Sequence, residues 1–230
     1  MSVSAASKPT SSASDASAAT SLTPLPVPAA AFDLEATLAC GQVFHWSREG
    51  AGWLGVIGTE AVYVERRGEA LLVPAGREEM VARYFALDHP LEEIRASFPT
   101  DPAMTHAAAF CVGMRLVRQP AWECLATFIS SSMKQVTHFA QMSHAIRRNF
   151  GEPVEWNGKT LFSYPSPERL ALASEEALRG CGLGFRAKNL LGTARMVAEG
   201  TVDLARVSRL DDDAARAELC RLPGVGIKVA

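Results

Sequence analysis

A chain of 230 residues with 48% hydrophobic content is long enough to bury one large core or two modest ones. The formal net charge of −2 conceals an asymmetry, because residues 1–114 carry 7 Lys and Arg against 13 Asp and Glu while residues 115–230 carry 16 against 12; a polyanionic partner belongs with the second part. No apolar run is long enough to span a bilayer and no charged-then-apolar leader opens the chain, so the sequence predicts no membrane association and an intracellular place, cytoplasm or nucleoid in a prokaryote and nucleus in a eukaryote. Cys40, Cys111, Cys124, Cys181 and Cys220 are scattered without metal-ligand spacing and read as reduced thiols; no metal or organic cofactor is implied.

Residues 1–30 are rich in Ser, Ala, Thr and Pro with few large apolar groups, which predicts a disordered tail. From Phe32 the pattern changes to short aromatic and branched runs at Gln42–Trp46, Trp53–Ile57, Ala61–Glu65 and Ala70–Val73, separated by glycines. That is the signature of an antiparallel meander. After Pro74 the period lengthens, and Met80, Val81, Tyr84, Phe85, Ile94 and Phe98 suit helical faces. Residues 31–114 are therefore expected to form a sheet domain with helices, and residues 115–230 a wholly helical one, in an α+β chain.

In the second half Trp122, Leu125, Ile129 and Met133 recur at helical spacing, as do Phe139, Met142, Ile146 and Phe150, with Gly151 and Pro153 as stop signals. Ser166-Pro167-Glu168 and Ser174-Glu175-Glu176 read as helix starts. A longer helix is expected over Arg186–Glu199 and another over Asp211–Leu222, whose aspartates suit an N-terminus.

The last nine residues, Leu222-Pro223-Gly224-Val225-Gly226-Ile227-Lys228-Val229-Ala230, carry the most chemistry. Gly224 and Gly226 permit a tight turn whose amides can face a nucleic-acid phosphate at the mouth of the next helix. Lys228 falls in the first turn of that helix, where the positive end of the dipole favours the neutral amine that a nucleophile requires. A phosphate grip beside such an amine suggests covalent chemistry on DNA. The same hairpin in a purely binding module would use the lysine only as another phosphate contact.

Four segments, in order, decide between these readings: Cys40-Gly41-Gln42-Val43-Phe44-His45-Trp46; Arg115 to Pro120 through Glu123-Cys124 to Phe128-Ile129-Ser130-Ser131-Ser132; Gly182-Leu183-Gly184-Phe185-Arg186-Ala187-Lys188; and the terminal hairpin. Together they resemble the 8-oxoguanine DNA glycosylase/AP lyases of the helix-hairpin-helix superfamily, from about Phe32 to the last residue. The resemblance implies excision of 8-oxoguanine from duplex DNA by a monomer, with Lys228 as the amine that captures the sugar, forms a Schiff base and permits β-elimination. It implies that Gly41 offers its carbonyl to the N7 hydrogen of the lesion base. DNA contacts fall on Met133, Lys134, His138, Phe185 and Arg186 and on the hairpin residues Gly224, Val225 and Gly226.

Two of these positions depart from the family pattern. Met133 stands where an asparagine fills the hole left by the extruded base, and His138 where an arginine often contacts the orphaned cytosine; Arg186 keeps the second such arginine and Phe185 supplies an aromatic wedge. A methionine plugs the stack as an apolar wedge but makes no hydrogen bonds to the widowed base. Weaker discrimination for cytosine opposite the lesion is therefore expected. The family also uses a downstream carboxylate and further C-terminal helices, whereas this sequence stops two residues after Lys228, which predicts a piece of a longer product, with Asp211, Asp212 and Asp213 as capping residues. An alkylated-base glycosylase of the same superfamily generally lacks the hairpin lysine. A non-catalytic clamp stays as the alternative from another class, and an inactive fragment of the glycosylase as a further one.

Overall fold

The structure, a computed structural model, describes residues 21–28, 31–131 and 136–230. The architecture is α+β, an antiparallel sheet with its helices followed by a mainly helical half. In chain order the first half contains β1 (Leu22–Pro26), α1 (Leu34–Ala39), β2 (Ser47–Glu49), β3 (Gly52–Ile57), β4 (Glu60–Arg67), β5 (Ala70–Pro74), α2 (Glu78–Tyr84), α3 (Leu91–Ala96) and α4 (Pro102–Phe110). The second contains α5 (Ala121–Ser131), α6 (Val136–Phe150), β6 (Pro153–Trp156), β7 (Lys159–Phe162), α7 (Pro167–Ala171), α8 (Glu175–Leu178), α9 (Arg186–Ala198), α10 (Leu204–Val207) and α11 (Asp212–Leu219). Among the described residues no helix is long and apolar enough to cross a membrane.

The five strands lie in the order β1-β5-β4-β3-β2, all antiparallel. On β4 the alternate residues Val62 and Val64 are wholly buried, the period of two that a half-buried strand requires. They join Phe32, Leu71, Val73, Tyr84 and Phe85 in the first core. Trp46 closes that core, with its indole N–H donating to the Tyr84 hydroxyl at 3.0 Å.

Three expectations from sequence are corrected. Residues 22–26 are not tail but the edge strand β1, in register with β5 from Leu22 opposite Pro74 to Pro26 opposite Ala70; Pro24 and Pro26 are tolerated because an edge strand has one row of groups without ladder partners. The run Gln42–Trp46 is not a strand, and pairing begins only at Ser47. Its neighbouring backbone is satisfied by a side chain instead: the Gln42 amide donates to the carbonyls of Thr37 and Arg115 and accepts from the Val117 N–H. Third, the second half is not wholly helical, because β6 and β7 form a hairpin around Asn157 and Gly158, both at positive φ, the two-residue turn that Asn-Gly favours.

That hairpin joins the halves. Trp156 stacks on Tyr63 of the sheet with ring centroids 6.4 Å apart, and Lys159 pairs with Glu49. The second core gathers Ile129, Ile146, Leu170, Leu178, Leu183 and Leu190, all nearly solvent-free. Helix starts match their local chemistry: Ser166, Ser174 and Asp211 each accept a backbone N–H from three residues on.

Candidate functional site

The terminal turn is built on α9. Leu222 and Val225 are buried and pin both of its arms into the second core. The Thr193 hydroxyl donates to the Pro223 carbonyl at 2.9 Å, and the Val225 N–H donates to the Leu222 carbonyl at 3.1 Å. Gly224 has φ of +80°, and a Cβ there would lie 2.8 Å from the Cβ of Asn189. Gly226 differs, since it has no left-handed φ and nothing within 4 Å of its Cβ direction. One glycine is required by the chain's own packing; the other leaves open space on the exposed side of the turn.

Beyond it, a single helical turn forms as the N–H groups of Val229 and Ala230 both donate to the Gly226 carbonyl. Val229 and Ala230 pack inward while Ile227 and Lys228 are exposed, so the Lys228 amine faces solvent beside the open face of the turn. Of the three expected capping residues only Asp211 accepts a backbone N–H at the start of α11, while Asp212 and Asp213 lie in its first turn and Asp213 pairs with Arg216.

The turn preceding α9 presents Phe185, which is 62% exposed. Arg186, next to it, is turned inward: it is 4% exposed, its guanidinium lies 4.5 Å from the centre of the Phe185 ring, and it donates to the Leu183 carbonyl at 3.2 Å. Phe185 is thus presented as an exposed aromatic, whereas Arg186 lies buried behind it and does not offer its guanidinium at the surface as the expected contact to an orphaned cytosine requires. Across from it, Met142 of α6 lies against Gly182 of the same turn.

Gly41 sits at the junction between the halves with φ of +87° and faces Val136 at the start of α6. The residue after it is firmly held: the Gln42 side chain bonds backbone at Thr37, Arg115 and Val117, and the Gln42 carbonyl accepts from the Gln119 side chain at 3.1 Å. Phe44 and Phe139 pack nearby with centroids 5.8 Å apart. His138 is exposed in the first turn of α6. Met133 and Lys134 lie outside the described residues.

Sequence reasoning did not single out the charged group beneath this loop. His45, Glu123 and Arg147 are each less than 8% exposed; His45 Nδ1 lies 3.3 Å from Glu123 Oε1, and Arg147 pairs with the same oxygen. Arg147 also donates to the Phe162 carbonyl and stacks on Tyr164. Burial pushes the His45 imidazole well below its ordinary range, reinforced by Arg147 and His144. Burial pushes the Glu123 carboxyl up, opposed by Arg147. His45 and Glu123 both fall inside the motifs quoted above, but adjacency of two motifs cannot be read from either alone. Among the described residues no cluster of three or more His, Cys, Asp or Glu is placed to hold a metal ion.

Residues 24–125 match the family described as 8-oxoguanine DNA glycosylase, N-terminal domain. The N-glycosylase/DNA lyase OGG1 of Arabidopsis thaliana is 30% identical over 86% of this chain; the chain spans 58% of the length of that relative. Two solved structures overlay on 91% of this chain and 76% of theirs, both with TM-score 0.83: MBOgg1 in complex with a low affinity DNA ligand, 28% identical, and the Clostridium acetobutylicum 8-oxoguanine glycosylase/lyase in complex with dsDNA containing cytosine opposite 8-oxoG, 26% identical. Over most of its length the chain is thus similar in sequence and in fold to 8-oxoguanine DNA glycosylases, and residues 24–125 match the N-terminal domain of that family.

Proposed function

We propose that this chain carries the nucleophile-bearing part of a base-excision glycosylase/lyase that acts as a monomer on duplex DNA containing an oxidised purine. The observation that carries the reading is the exposed Lys228 amine beside the open face of a packed Gly224 turn. The amide N–H groups of such a turn can donate to a phosphate, which fixes the sugar relative to the amine. In the reaction, the Lys228 nitrogen bonds C1′ as the C1′–N9 bond breaks and the base leaves with its electron pair. Loss of the nitrogen proton and opening of the sugar ring give an imine; a C2′ proton is then lost, the C3′–O bond breaks, and the 3′ phosphate departs.

In this reading Gly41 presents its carbonyl to the lesion base, held by the Gln42 clamp, and Phe185 wedges the duplex with Arg186 behind it. Met133, Lys134 and His138 line the strand opposite. Met133 supplies an apolar plug rather than a hydrogen-bonding one, so preference for cytosine opposite the lesion is weak. Residues 22–114, with strand β1 included, and residues 115–230 act as two units, the first for the base and the second for the backbone and sugar.

Borohydride reduction in the presence of a duplex with an abasic site tests the proposal. A covalent adduct that Lys228→Ala abolishes, with duplex binding largely kept, supports it. Binding without any adduct from the native chain leaves the second reading, a hairpin clamp that grips phosphates and does no chemistry.

A further inference from the structure

A cavity far from the Gly224 turn in sequence lies between α3, α4 and the segment leading to Arg115. It has a volume of about 290 Å³ and walls formed by Ile94, Phe98, Met114 and Leu116. Neither α3 nor α4 contributes a buried residue to either core, and Ile94, Phe98 and Leu116 remain 38%, 38% and 73% exposed. Into this apolar lining come two guanidinium groups. Arg115 is 5% exposed, and the hydrogen bonds its guanidinium makes among the described residues go to main-chain carbonyls, those of Ala31, Ala86 and His89. Arg95 donates to the Ala108 carbonyl at 3.3 Å, while its Nε is shielded from solvent and has no hydrogen-bond partner among the described residues.

Neither arginine has a carboxylate within ion-pair distance among the described residues; Asp88, which acts on Arg115 only at longer range, is paired with Arg118. The buried Arg115 and the half-buried Arg95, with main-chain carbonyls as their guanidinium partners among the described residues, keep positive potential at the cavity, and a shielded guanidinium gains most from a carboxylate. The adjoining hollow of about 380 Å³ shares Arg95 and Arg115 and is rimmed by Glu92 and Glu93. Those acids oppose added negative charge in proportion to its size, which favours a single carboxylate over a phosphate-rich ligand.

We infer that the cavity between α3 and α4 binds an aliphatic monocarboxylate of medium chain length, with the chain among Ile94, Phe98, Met114 and Leu116 and the carboxylate on Arg95 and Arg115. The volume lies at the small end of ligand sites, which fits a single short chain. Arg115 also links the cavity to the Gly41 loop, since its carbonyl accepts from Gln42 and its N–H donates to Thr37, which also binds Gln42.

Calorimetric titration of the full chain with octanoate, and with 1-octanol as the neutral counterpart, tests this. Octanoate binds saturably at one site and more tightly than octanol. Arg95→Met weakens octanoate by about tenfold, leaves octanol unchanged, and Arg95→Lys restores most of the difference. Ala108→Phe, which fills the cavity, removes both ligands while thermal unfolding shows the chain folded; if that variant does not fold, the two Arg95 variants decide. The inference is overturned if octanoate shows no saturable binding, if octanol binds equally well, or if Arg95→Met leaves octanoate unaffected.

Discussion

Asn189 occupies the space that a side chain at position 224 would need: a Cβ on Gly224 would stand 2.8 Å from the Asn189 Cβ and 2.9 Å from its amide nitrogen. The close approach and the φ of +80° act together, because neither a shift of the turn nor a change of rotamer relieves both. Gly224→Ala is expected to destabilise the chain by about 1–3 kcal/mol, read as a lower urea midpoint, and to weaken duplex binding. Gly226→Ala, in open space, leaves the midpoint unchanged while still weakening the duplex. A Gly226 variant that binds normally would remove the turn's exposed face from the interface.

Lys228 is exposed, with no ion pair among the described residues. Its replacement by alanine is therefore expected to change folding stability by no more than about 0.5 kcal/mol. The loss of borohydride trapping in that variant is then a loss of chemistry and not of fold, and thermal unfolding of native and variant chains checks the distinction.

Opposite-base discrimination is expected to be weak. Excision rates measured on duplexes with C, A, G and T facing the lesion should differ little from one another, and Met133→Asn should raise the rate with C relative to the others. A strong native preference for C contradicts the role given to Met133.

The buried group under the Gly41 loop should respond as a unit. Glu123→Gln leaves Arg147 as an unpaired buried cation and is expected to cost about 3–5 kcal/mol. Replacing Glu123 and Arg147 together with methionine should cost less than the sum of the single changes. Urea unfolding of the two single variants and the double variant measures the coupling.

Acid should weaken the fold through His45. The folded chain resists protonation of this imidazole, whereas the unfolded chain takes the proton near the ordinary value of 6.5. Its contribution is complete above 6.5 and is lost progressively as pH falls below it. Glu123 acts in the opposite sense: the folded carboxyl holds a proton that the unfolded one releases near 4.5, so its contribution is complete below 4.5 and declines as pH rises. His45→Gln is expected to flatten the fall of melting temperature below 6.5. An unchanged acid limb in that variant assigns the effect to other groups.

Features governed by neighbours in sequence were legible. The caps Ser166, Ser174 and Asp211 act on N–H groups three residues away, and the residue types alone specify that bond. The β3–β5 meander followed from alternation and glycine turns. Features governed by distant residues were not. β1 is recruited by β5, nearly fifty residues on, against a proline-rich composition that suggests no structure. Arg186 carries a charge that points to solvent in any local reading, yet the turn before α9 folds it under Phe185. The Trp156-Asn157-Gly158-Lys159 hairpin is different, because Asn-Gly is a strong local signal. It is obscured by lying between Gly151 and Pro167 in a run otherwise full of helical spacing.

The stacking of Trp156 on Tyr63 has a consequence for the integrity of the particle. Together with Glu49–Lys159 and His45–Glu123, it ties the halves by non-covalent links that do not pass through the backbone joining them. A protease cut beside the exposed Phe110 therefore severs the polypeptide without parting the pieces, and the nicked species migrates as one body until a denaturant separates the fragments.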